Sequence, residues 1–215
     1  MNKVTVQRWI IYIIAINLLA MGIILNTRTN LGVACFSSLY YAISQVFNIS
    51  LGTSSIILYF ILIGVQLILT RKITIPLILE IPFSLVFGYL TDFYDAIITI
   101  KPQNTLQAYL LLALALIVIS YGVYFSVRSN LVVTPVEATV NTIAEVFKLN
   151  FSLVKNCFDI SMLGFTCVFC FVMNSPLYGI GPGTVISALL LGRIISIHQR
   201  MFDKKMQLFQ VCQDS

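Results

Sequence analysis

Charge is what this sequence has least of. Asp, Glu, Lys and Arg together make up 10% of its 215 residues, against about 25% in an ordinary soluble domain. Hydrophobic residues make up 59%, and mean hydropathy is +0.95. A chain of this size with so little polar surface cannot cover itself in water, which excludes a soluble globular protein. There is a single histidine, His198, past the last apolar run. With it go the Ser-His pair and the histidine-rich metal centre. There is no Walker loop and no cluster of metal-ligand spacing either, so neither an enzyme nor a bound metal or cofactor is expected. Cysteine is present but odd in number, at Cys35, Cys157, Cys167, Cys170 and Cys212. Cys167-x-x-Cys170 has no second ligand pair and reads as small buried hydrophobes.

What is there is a series of apolar runs. The spans Trp9–Thr27, Thr29–Thr70, Pro102–Val127 and Ile160–Gly192 contain no charged residue. Each is long enough for at least one membrane crossing, which takes about 20 residues. Eight segments follow: Ile10–Asn26, Val33–Phe47, Gly52–Thr70, Pro76–Ile98, Leu106–Val127, Val133–Phe147, Leu153–Met173 and Thr184–Ile197. Lys3 and Arg8 precede a run too long for a signal peptide, with no clear cleavage site, so the first segment reads as a retained span. The net charge of +5 comes from Lys and Arg at segment ends. There they orient the chain and meet lipid headgroups, so no nucleic-acid partner is expected.

The phrase Arg-x-Asn-Leu occurs twice, at Arg28 and Arg128. An ungapped shift of 100 residues superposes Gly22 on Gly122, Arg28 on Arg128, Asn30 on Asn130, Leu31 on Leu131 and Val33 on Val133. Ile43, Val46 and Phe47 meet Ile143, Val146 and Phe147. These are eight identities between residues 21 and 47, where a chain of this bias gives about three by chance. The expectation is one membrane domain, 1–215, built of repeat 1 (about 9–100) and repeat 2 (about 106–200), with a basic polar tail over 198–215. Internal repeats are common in secondary transporters, with the binding site at the repeat interface.

The second and sixth segments are short. About 15 residues give roughly 22 Å of helix, less than the roughly 30 Å hydrocarbon core. Both carry a polar stripe: Glu137, Asn141 and Glu145 in one, Ser37, Tyr41 and Gln45 in the other. Three placements fit: a half-helix lining a cavity, a helix lying in the interface, or a full span with its polar face buried. With eight spans and the N-terminus inside, nine Lys and Arg residues fall inside and four outside. With six spans and two short segments that dip in and return, eleven fall inside, and only Arg28 and Lys101 outside. The second arrangement follows the positive-inside tendency better and makes the repeats inverted. It places both termini in the cytoplasm.

Ionisable residues inside apolar runs cost about 2.5–3.5 kcal/mol each on insertion scales, so they mark candidate sites. These are Glu80, Glu137 with Asn141, and the pair Lys155 and Asp159, one turn apart. A substrate or proton pathway and a satisfied packing network are the two readings. Arg28, Asn30, Arg128, Asn130 and Pro135 are repeat landmarks, the arginines reaching towards the interface. Gly183 and Thr184 form a turn before the last segment. Gly88 and Gly192 read as close helix packing.

The order of Asn30-Leu31-Gly32, Leu51-Gly52, Gly88 before Asp92, Pro135-Val136-Glu137, Lys155 with Asp159, Gly181-Pro182-Gly183-Thr184 and Gly192 resembles the YczE/YyaS/YitT-type bacterial integral membrane proteins. The first copy departs from that pattern. Cys35-Phe36-Ser37 stands where the family would have a proline, an aromatic and an acid. The resemblance implies a multi-pass protein of the bacterial plasma membrane, with some relatives resembling small-molecule exporters. The expected function is a transporter-like protein moving a small molecule through a site at the repeat interface. The alternative is a non-transporting membrane scaffold or regulator. The lipid bilayer is the expected partner, together with an unidentified small molecule and a possible second copy of the chain.

Overall fold

The computed structural model describes residues 3–129 and 131–195. The basic tail, His198 and the landmark Asn130 lie outside the described residues. Eight helices follow one another: α1 (Lys3–Arg28), α2 (Cys35–Phe47), α3 (Leu51–Thr70), α4 (Ile75–Ile97), α5 (Thr105–Ser129), α6 (Pro135–Phe147), α7 (Phe151–Val172) and α8 (Pro182–Ile195). Five of them, α1, α3, α4, α5 and α7, are long and apolar enough to cross a membrane. The chain is an all-α, multi-pass membrane protein. Helices α2 and α6 have 13 residues each, about 20 Å, shorter than a hydrocarbon core of roughly 30 Å. Helix α8 is also shorter than a span over its described residues.

Two boundaries differ from the sequence expectation. Helix α1 starts at Lys3, ahead of Ile10, because Lys, Gln and Arg are good helix formers and need no apolar setting. Helix α1 also runs past the expected end at Asn26 to Arg28. Arg28 and Arg128 close the last turns of α1 and α5, where a cation complements the helix dipole. Pro82 lies inside α4 without ending it.

Side-chain contacts fix the helix directions. Arg28, at the end of α1, bonds to Asp95 and Ile98 at the end of α4, so both helices finish on one face. Gly52, at the start of α3, meets Asp92 near that end, and Gln66 meets Glu80 at the other. Helix α3 therefore runs against α4. The link from α4 to α5 is short and includes Lys101, which lines the same polar recess as Arg28. Helix α5 thus begins where α1 ends, and the two run antiparallel. Asn48, just after α2, lines that recess as well, while Ala34, just before α2, lines an inner cavity. The chain from Arg28 therefore goes inward over 29–34 and α2 brings it back.

The core is apolar and aromatic. Tyr59, Phe83 and Phe87 join α3 to α4, with ring centroids 5.6 to 6.4 Å apart, and Tyr12 of α1 reaches Phe83. Helix α1 packs on both α4 and α5, α2 packs on α7, and α6 packs on α3. The two short helices thus each lie against a long helix of the other half of the chain.

Candidate functional site

The inner cavity has a volume of about 180 Å³. Two short-helix starts reach it: Ala34, Cys35 and Phe36 from α2, and Thr134, Val136 and Glu137 from α6. Leu19, Ile23 and Phe87 give it an apolar wall, and α8 contributes Ser187, Ala188, Leu191 and Gly192.

The starts of α2 and α6 differ chemically. Helix α6 has Thr134 as N-cap and Pro135 in its first turn. Thr134 Oγ1 accepts from the Glu137 backbone N–H and donates to the Glu137 carboxylate. An anion therefore already stands at this positive helix end. Helix α2 has Ala34 at its N-cap position, which offers no side-chain cap. Its third residue, Ser37, donates its hydroxyl to the Ala34 carbonyl. Nothing on α2 itself supplies an anion to its first N–H groups.

Lys155 and Asp159 of α7 form an ion pair at 3.0 Å, with side chains 27% and 28% exposed, and both line the cavity. Lys155 Nζ also lies 5.8 Å from the centre of the Phe36 ring and 5.9 Å from that of Phe158. A cation over an aromatic face is attracted to it. The ammonium is thereby held beside the uncapped start of α2.

The other sequence candidates lie elsewhere. Glu80 is buried and accepts from Gln66 Nε2 at 2.8 Å, joining α3 to α4 away from the cavity. Asn141 and Glu145 are exposed, so the expected stripe does not continue from Glu137 into the cavity. The reason is the turn of a short helix: the buried face of α6 is Pro135, Val136, Thr139, Val140 and Ala144. Gly88 packs tightly on Gly52 and Ile56, whereas a β-carbon on Gly192 meets nothing within 4 Å. Gly192 thus borders the cavity where close packing was expected. Arg128 Nη1 donates to Tyr124 OH at 2.5 Å. Of the two α7 thiols expected to be buried, Cys170 is buried and Cys167 is exposed.

The first Arg-x-Asn-Leu stretch has a partner in the loop before α8. Gly183 N–H donates to the Leu31 carbonyl at 2.7 Å, and Val33 N–H to the Gly179 carbonyl at 2.9 Å. Thr184, which is buried, holds the far loop by donating to the Gly179 carbonyl at 3.0 Å and accepting from Gly181 N–H at 3.2 Å. Gly32 has φ +101° with Gly181 and Thr184 against it, so both its backbone angle and its surroundings exclude a β-carbon. Asn30 is exposed and lines the recess of about 600 Å³ that also contains Arg28 and Asp95.

Sequence reasoning did not single out Ser187, Cys35 or Phe36 for this site. Ser187 sits in an uncharged run, three residues after Thr184, with no periodic signal to mark it. Only the fold brings it to the cavity that the starts of α2 and α6 also line.

The chain resembles known proteins over nearly its full length. A model described as a family of unknown function, DUF6198, matches residues 6–200. An uncharacterized membrane protein, YczE of Bacillus subtilis (strain 168), is 26% identical over 196 residues, covering 91% of this chain and 86% of its own. An uncharacterized protein, YyaS of the same organism, is 22% identical over 200 residues, covering 92% and 95%. No solved structure matches.

Proposed function

The chain belongs to the DUF6198 family, and from that premise we propose that it is a transporter moving a small molecule through the inner cavity. The observation that carries this reading is a cavity of about 180 Å³, walled by apolar side chains, where two short helices begin beside Glu137, Lys155 and Asp159. Irregular backbone and half-helix starts at membrane depth are tolerated where they line a cavity, and in transporters they bind substrate. Charged groups within the bilayer are costly and are kept where they act on a solute or on each other.

In this reading the two halves of the chain are inverted repeats, and the cavity is their interface. Six helices cross the membrane of a bacterial cell, and α2 and α6 enter and return. The face carrying Arg28 and Lys101 is external, since all other Lys and Arg residues outside the cavity then fall on the cytoplasmic side. The termini are cytoplasmic. The external recess, ending at Asn30, is separated from the cavity by Leu31, Gly32 and Val33.

Cys35 lines the cavity and supplies the test. In a variant whose other four cysteines are replaced by serine or alanine, a membrane-impermeant thiol reagent reacts with Cys35 from at least one side of oriented vesicles. A Cys35 that no water-borne reagent reaches from either side overturns the transport path and favours the scaffold reading.

A further inference from the structure

Resting on the transport reading above, we infer that the cavity takes a small apolar zwitterion: a molecule with one carboxylate, one ammonium and a short hydrocarbon body, of the amino-acid type.

Three features of the cavity lining specify the carboxylate. Helix α2 has Ala34 as its N-cap and no side-chain cap; Ser37 N–H turns back to the Ala34 carbonyl at 2.9 Å, which leaves the N–H groups of Cys35 and Phe36, both residues that line the cavity, without a side-chain acceptor. Such an end attracts an anion. Lys155 adds its charge beside Phe36. Ser187 is the independent observation. It is 1% exposed, lines the same cavity, and its hydroxyl has no hydrogen-bond partner among the described residues. Buried hydroxyls are rarely left unpaired, so a ligand group belongs opposite it. The start of α6 shows what is missing from α2: there Glu137 supplies the carboxylate from the chain itself.

The ammonium follows from charge. Among the described residues, the acidic and basic side chains that line the cavity are Glu137, Asp159 and Lys155, two negative and one positive, a sum of −1. A free carboxylate alone raises that negative excess in a site of low dielectric. An ammonium alone leaves the α2 N–H groups and Ser187 unserved. A zwitterion serves both and leaves the net charge unchanged, its cation lying towards Glu137 and Asp159. Leu19, Ile23 and Phe87 then receive the hydrocarbon. The volume fits a body of this size, since an apolar cavity of roughly 150 Å³ holds benzene.

The test uses purified full-length protein in detergent, equilibrium dialysis with radiolabelled L-valine, and two competitors. Isovalerate is valine without the ammonium, and isobutylamine is valine without the carboxylate. Valine is expected to bind, with each competitor weaker by about tenfold or more, the effect of leaving a charged hydrogen-bonding group without its partner. Ser187→Ala should weaken valine several-fold at an unchanged melting temperature. No valine binding overturns the inference, as does either competitor matching valine. Cys35 reactivity separates the two levels. A reagent that reaches Cys35 while valine neither binds nor slows it sinks the zwitterion and keeps the path. Valine that binds while Cys35 is unreactive from both sides keeps the zwitterion site and removes the path.

Discussion

Gly22 of α1 lies so close to Ile119 of α5 that a β-carbon on it would fall 2.9 Å from the Ile119 backbone nitrogen. The reciprocal contact exists: a β-carbon on Gly122 would fall 2.9 Å from the backbone nitrogen of Leu19. Residue 19 corresponds to 119 and residue 22 to 122 under the 100-residue shift. A twofold relation between two like helices produces this exchange of partners, and antiparallel α1 and α5 support the inverted repeats proposed above. Both glycines allow the close backbone approach that drives helix association in lipid.

Substitution at this crossing is therefore expected to destabilise, and trimming the neighbour should not repair it. Gly22→Ala and Gly122→Ala should each cost about 1–3 kcal/mol, the usual range for overpacking, read as a lower melting temperature in detergent. Ile119→Ala added to Gly22→Ala should fail to restore it, because the clash is with backbone as well as side chain. Recovery in the double variant would show that the side chain alone sets the distance.

Arg28 joins three acceptors at the end of α4: the Ile98 carbonyl through Nε at 2.7 Å, and the Asp95 carbonyl and carboxylate through one Nη at 2.7 and 2.8 Å. It caps α4 from another helix. A lysine has one point of donation and no fork. Arg28→Lys should therefore lose nearly as much stability as Arg28→Ala, on the order of 1–2 kcal/mol. A lysine variant with the native melting temperature would reduce the contact to a solvated ion pair.

The helices were legible because lipid writes a plain code: long uncharged runs, ended by Arg28, Arg71 or Lys101. The short α2 and α6 were legible from their length alone. Lys155 and Asp159 are four residues apart, so helix geometry suffices to bring them together. What could not be read depends on packing between distant segments. The hydrogen bond from Gln66 to Glu80, the cap of Arg28 on α4 and the presence of Ser187 and Cys35 in one cavity lining have no local signal. The stripe of α6 misled for a related reason. Spacing puts Glu137, Asn141 and Glu145 along one line of the helix, but only the end of that line reaches the cavity.

The inverted arrangement makes a labelling prediction at exposed positions. In a cysteine-free background, Gln103→Cys lies in the link between α4 and α5, and Leu149→Cys in the link between α6 and α7, both exposed. An impermeant thiol reagent should reach Gln103→Cys from outside and Leu149→Cys from the cytoplasmic side only. Lys72→Cys, between α3 and α4, should behave like Leu149→Cys. Labelling of Gln103→Cys and Leu149→Cys from one side would rule out the inverted repeats.

The order of Lys155 and Asp159 along α7 is unfavourable for an isolated helix. A cation in the second turn opposes the dipole, and acid before base is the better arrangement at i, i+4. Local helix stability therefore does not account for the pair, whereas the cavity does: the ammonium lies beside the start of α2, and the carboxylate holds it there. Breaking one member of a buried pair costs about 3–5 kcal/mol. This pair is about a quarter exposed, so solvent screening brings the expected loss nearer 1–2 kcal/mol. Lys155→Ala and Asp159→Ala should each lower the melting temperature in detergent. Lys155→Met combined with Asp159→Leu should restore most of it, because two apolar side chains leave no unpaired charge. Flux assays then separate stability from function. If the pair serves only packing, the double variant folds and transports as the native protein does. If it serves the solute, the double variant folds, its Cys35 still reacts, and flux of L-valine in vesicles is lost.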